Sequence, residues 1–175
     1  MRTTHNLRRR LTLLGSALAL SLVACGGGEG TPEQSLKAGY EALGAGDGAK
    51  ALPLLERAAA TLAASPSDPQ WKEIQVALVE AHAHVNAEAA RDRFLTLARA
   101  NRTAFESRDF ASVGNKLFAK DPSISLDVVN AGLKEFGYES DARLHGLIED
   151  IKQRAASSGD SALSSKLAGL GYLGG

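Results

Sequence analysis

One pattern governs this chain after residue 31: apolar residues three and four apart, in segments that open on a capping residue and, three times, a proline. Thr31-Pro32-Glu33-Gln34 is the first such start. Thr31 caps, Pro32 takes a first-turn position where its missing N–H costs nothing, and Gln34 closes a capping box. Leu36, Tyr40 and Leu43 follow at helical spacing, and residues 44–48 break the helix. Leu52, Leu55, Ala58 and Leu62 line a second helix. Asp68-Pro69 predicts a third start, ahead of Trp71, Ile74, Leu78, Ala81 and Val85. Asn86 marks a turn, after which Ala90, Phe94, Leu97 and Phe105 continue the period. Asp109 is expected to open a segment with Phe110, Val113 and Leu117, and Asp121-Pro122 one with Ile124, Val128, Ala131 and Phe136. Ser140 is expected to cap a helix carrying Leu144, Ile148, Ile151 and Ala155. The loop 157–160 then precedes a short helix with Leu163, Leu167 and Leu170.

No run alternates with period two, and no hairpin dipeptide joins β-branched runs. Apolar residues are 44% of the chain but aromatics only 5%, so Ala and Leu carry the core. That mix suits closely packed helices better than a sheet sandwich. The expectation is an all-α domain over residues 32–170, six to eight helices stacked as antiparallel hairpins, with a Gly-rich tail at 171–175.

Within it, residues 35–66 place Gly39 in the first helix, Gly46-Asp47 in the turn, Ala51, Leu55 and Ala58 in the second helix, and Pro66 after it. This register resembles a tetratricopeptide repeat. Residues 123–155, with Gly137 and Ala142, resemble it more faintly. The turn-like sites Asp47, Asn86 and Asp109 are spaced 39 and 23 apart rather than at a regular interval of about 34. The resemblance implies a TPR-like α-α superhelix that offers a groove to peptides or partner subunits. Lys37 and Tyr40, on the first helix pair, are the candidate partner-binding residues.

The first 24 residues read as an export signal. Arg2, Arg8, Arg9 and Arg10 make a basic start, and residues 11–24 an apolar stretch. As a helix that stretch spans only about 21 Å, short of a hydrocarbon core of about 30 Å. Leu22-Val23-Ala24-Cys25 closes it and resembles the lipobox of bacterial lipoproteins. The resemblance implies lipidation of the Cys25 sulfur, cleavage between Ala24 and Cys25, and acylation, such as palmitate, of the new amino group. The domain would then hang from the cell-envelope membrane by its lipid, with residues 25–31 as a flexible tether. Gly26 in place of Asp leans towards the periplasmic face of the outer membrane if the cell is Gram-negative.

Beyond residue 24 the chain has 16 basic and 20 acidic residues, a net charge of −4, because all four signal arginines precede Cys25 and no acidic residue does. A mildly acidic domain without a basic stripe is not expected to bind nucleic acid. The single Cys rules out an intrachain disulfide. His82 and His84 are two apart, which on a helix points them to different faces, so no metal site is expected. Residues 44–50 resemble a phosphate loop only faintly, since no Gly precedes Lys50 and no Ser or Thr follows it. Trp71 is read as core, and Asp150–Arg154 as a surface pair. No catalytic motif and no cofactor site are found. The expected function is a lipid-anchored interaction scaffold. Its rivals are a structural subunit of an envelope assembly or secretion complex, and an enzyme with an unrecognised helical site.

Overall fold

The computed structural model describes residues 30–137 and 141–173. Within them lie eight α-helices and no strand: α1 (Pro32–Gly44), α2 (Gly48–Leu62), α3 (Trp71–Val85), α4 (Ala87–Ala100), α5 (Ser107–Phe118), α6 (Pro122–Phe136), α7 (Ala142–Ser158) and α8 (Ser161–Gly169). A 3₁₀ turn, Arg102–Ala104, joins α4 to α5. The expected signal segment, the lipobox, Cys25 and the cap at Ser140 fall outside the described residues. No described helix is long and apolar enough to cross a membrane.

Each helix packs against the next, so the chain folds as consecutive hairpins. The odd helices α1, α3, α5 and α7 also touch in order and form one layer, while α4, α6 and α8 form part of a second. The core runs between these layers through Leu55, Ile74, Leu78, Phe94, Leu117, Leu126, Leu144, Ile148, Ile151 and Leu167, all essentially inaccessible.

Several starts follow the residue chemistry. The Thr31 hydroxyl accepts from the Gln34 N–H at 3.3 Å, and the Gln34 side chain accepts from the Thr31 N–H at 2.9 Å. Asp121 Oδ1 accepts from the Ser123 and Ile124 N–H groups at 2.7 and 3.2 Å, with Pro122 beginning the helix. Each such cap contributes about 1 kcal/mol. Residues 45–47 form the α1–α2 turn, with Gly46 at φ 76° and Asp47 accepting from the Lys50 N–H at 3.0 Å as α2 begins at Gly48. Asn86 alone links α3 to α4 and caps the latter through the Ala89 N–H at 3.0 Å.

Other expectations need correction. Helix α3 begins at Trp71, not Pro69, because the Asp68 carboxylate turns back to the Ser65 N–H at 2.8 Å and closes a local turn. Phe105 does not continue α4, which ends at Ala100; it follows the 3₁₀ turn with extended backbone and folds back into the core. Asp109 does not open α5. It is the third residue of a box whose cap is Glu106, and accepts from the Glu106 N–H at 2.8 Å. Asp141, next to Ser140, caps α7 through the Arg143 N–H at 2.9 Å.

The internal likeness lies elsewhere than expected. In α1–α2, a Cβ on Gly39 would come 2.7 Å from Leu55 Cδ2, so the glycine is what lets the helices meet. The matching contact is Gly114 of α5 against Val129 of α6, where a Cβ would come 2.8 Å from Cγ2. Gly137 instead ends α6 at φ 90°, with nothing near a Cβ, and Ala142 is an exposed first residue of α7. The hairpin that echoes 35–66 in its packing is therefore α5–α6, not 123–155.

Candidate functional site

The odd layer is laced by polar contacts between neighbouring helices. Tyr40 on α1 meets Glu73 on α3, and burial, then this carboxylate, pushes its phenol up to about 12. Lys72 on α3 pairs with Asp109 on α5 at 3.1 Å, Lys116 on α5 pairs with Glu80 on α3, and Ser107 donates to Asp141 at 2.9 Å between α5 and the start of α7. These pairs are partly buried, with Asp109 15% and Asp141 8% exposed, and they fix side-chain direction between the helices.

Between α5 and α7 this face opens into a groove of about 320 Å³. Its floor is Ala111, Gly146 and Leu147. A Cβ on Gly146 would meet nothing within 4 Å, so the missing side chain is what leaves the floor low. Ser112, Asn115 and Asp150 supply hydrogen-bonding groups along the walls. Arg108 and Arg143 stand at the rim, each held on one side by a carboxylate, Glu106 at 2.9 Å and Asp141 at 3.2 Å. A guanidinium has five donors, so both keep N–H groups for a second acceptor. Such a surface can bind backbone amides and carboxylates, and it holds no nucleophile–base pair.

Lys37 is 81% exposed and only loosely paired with Glu41 at 4.0 Å. Tyr40 packs its ring against the core while its hydroxyl is taken by Glu73. The two therefore differ in what they offer: Lys37 an exposed, loosely held charge, Tyr40 a joint between α1 and α3.

His82 and His84 both pack against neighbouring helices. His84 lies over Gly48, where a Cβ would come 2.3 Å from His84 Cβ. His82 is half-buried near Glu56 and Arg93; burial, then the Arg93 charge, lowers its pKa against the pull of Glu56. Arg93 donates to Gln75 Oε1 at 2.8 Å, bridging α4 to α3. Among the described residues no three His, Cys, Asp or Glu side chains are grouped as metal ligands. Asp150 and Arg154 form no ion pair; Asp150 borders the groove, and Arg154 lies over the Phe118 ring, 5.9 Å from its centre.

Trp71 is core, 5% exposed. It starts a chain of edge-to-face rings that the periodicity could not show: Trp71–Phe105 at 5.9 Å, Phe105–Phe94 at 5.6 Å, Phe94–Phe110 at 4.9 Å and Phe110–Phe136 at 5.6 Å. The chain ties α3–α4 to α5–α6. Arg108, Ser112, Asn115 and Arg143 were missed in the sequence because each reads as an ordinary polar-face residue. Gly146, in mid-helix without a capping role, reads in the sequence like Gly39, Gly114 and Gly132, which are packed against a neighbouring helix. No family model matches the chain, and no curated protein and no solved structure matches it either.

Proposed function

We propose that this chain is a lipid-anchored cell-envelope protein whose hairpin stack docks a protein partner on its odd-helix face, making and breaking no bond. The observation that carries the docking part is the α5–α7 groove, a concave strip with a small-residue floor and oriented arginines at its rim. A partner segment laid there would pair an acidic group with Arg108 or Arg143 and its backbone with Ser112 and Asn115. Lys37, further along the same layer, would extend the contact. The tetratricopeptide-like register of residues 35–66 supports the same use of the fold.

Support for anchoring comes from the sequence: four arginines, an apolar stretch and Leu22-Val23-Ala24-Cys25 in order. On this reading Cys25 carries the lipid and the bond after Ala24 is cut. The membrane then confines the groove near membrane-bound partners and raises their effective concentration.

The test is partner capture from membranes solubilised in mild detergent, comparing the unmodified chain with Arg108→Glu/Arg143→Glu. Both arginines are more than half exposed, so the fold survives the change. A partner recovered with the first and lost by tenfold or more with the second supports docking in this groove. The same recovery from both overturns it.

A further inference from the structure

We propose a second, separate site: the pocket where the α3–α4 hairpin meets α5–α6 binds a small arylcarboxylate. Its floor is Phe105, Phe110 and Phe136, the open side of the ring chain. Its mouth carries Arg99, Arg102 and Lys134, with one carboxylate, Glu135. It shares no lining residue with the α5–α7 groove.

Three observations fix the ligand class. The pocket holds about 240 Å³, room for one ring and a short linker but below the usual range of about 300–1,000 Å³ for larger ligands. Its floor consists of ring faces and edges already packed edge to face, an arrangement a further aromatic ring can join. Among the described residues its mouth has three cations against one anion, and Glu135 is committed to Arg102 at 3.4 Å. Among the described residues no carboxylate lies within ion-pair distance of Arg99 or Lys134, and the one carboxylate that Arg99 acts on at longer range, Asp92, is hydrogen-bonded to Arg91. This concentration of positive charge sits on a domain whose sequence after residue 24 is net negative. A ring with a carboxylate two or three bonds away fills the floor and neutralises the rim; a cation is repelled, and a neutral ring leaves the rim unanswered.

Trp71, the single tryptophan, touches Phe105 and reports on the pocket without a label. The test titrates the full chain with 3-phenylpropionate, read by Trp71 fluorescence and calorimetry. The comparison ligands are 3-phenyl-1-propanol, 3-phenylpropylamine and octanoate. Saturable binding with a Kd below about 1 mM is expected. The alcohol and octanoate should bind about tenfold or more weakly, and the amine not at all. Arg99→Glu/Lys134→Glu, at exposed positions, should weaken 3-phenylpropionate by at least about tenfold with an unchanged far-ultraviolet spectrum. Ala131→Leu, which fills the pocket and leaves the charges in place, should abolish binding. No saturation, equal affinity for the alcohol or octanoate, or full binding by either variant would overturn the proposal.

Discussion

Gly132 and Gly146 are both helical glycines, yet their surroundings give them opposite roles. A Cβ on Gly132 would stand 2.8 Å from Phe110 Cβ, an atom tied directly to the α5 backbone and unable to move aside. Gly132→Ala is therefore expected to cost about 1–3 kcal/mol by overpacking. Gly146 faces open space in α7, so Gly146→Ala should stabilise by about 0.5–1 kcal/mol through helix propensity. Thermal unfolding of the two variants checks both signs. A pH effect also belongs to this scale. His82 has a folded pKa below its ordinary value, chiefly from burial, so folding favours the neutral ring. Its contribution is fully present above about pH 6.5 and is lost as pH falls through the lowered folded value. Denaturant midpoints measured from pH 7.5 to 5 should decline in the unmodified chain and decline less in His82→Gln.

At the scale of elements, two helix starts were legible where one side chain meets its own next turn. Thr31 and Asp121 cap as expected because capping is decided within about three residues, and Asn86, expected only as a turn, caps α4 as well. Removing one such cap, by Asp121→Ala, should cost about 0.5–2 kcal/mol in chemical unfolding. Starts failed where an acidic side chain had two partners in reach. Asp68 closes a turn on Ser65, and Asp109 serves the Glu106 box and Lys72 together. Phe105 was misplaced for a different reason. Its spacing fits α4, but the pull of Trp71 and Phe94 across the core decides its position, and that is a long-range contact. The same contact makes the ring chain the joint between hairpins. Phe94→Ala is expected to cost about 3–5 kcal/mol, a large share of the stability of a domain this size.

The described residues form a two-layer stack whose odd layer carries the α5–α7 groove and whose even layer, which borders the aromatic pocket, is tied together by its own charges. Asp127 on α6 takes Arg91 of α4 at 3.2 Å and Lys166 of α8 at 2.7 Å, and Lys166 also donates to the Ser123 carbonyl at 2.7 Å. The all-α hairpin stack was legible from periodicity and caps. The groove was not, because its walls come from α5 and α7, whose residues are some thirty apart in the chain and meet only after packing. Anchoring makes its own prediction at this scale. The unmodified protein should enter the detergent phase on partition, and Cys25→Ser should stay in the aqueous phase. The central claim is that partners dock on the odd layer, and cross-linking mass spectrometry in intact cells addresses it most directly. Lysines sample both layers: Lys37, Lys72 and Lys116 on α1, α3 and α5, against Lys50 and Lys134 on α2 and α6. The account predicts partner cross-links concentrated at Lys37, Lys72 and Lys116; cross-links confined to Lys50 and Lys134 would contradict it.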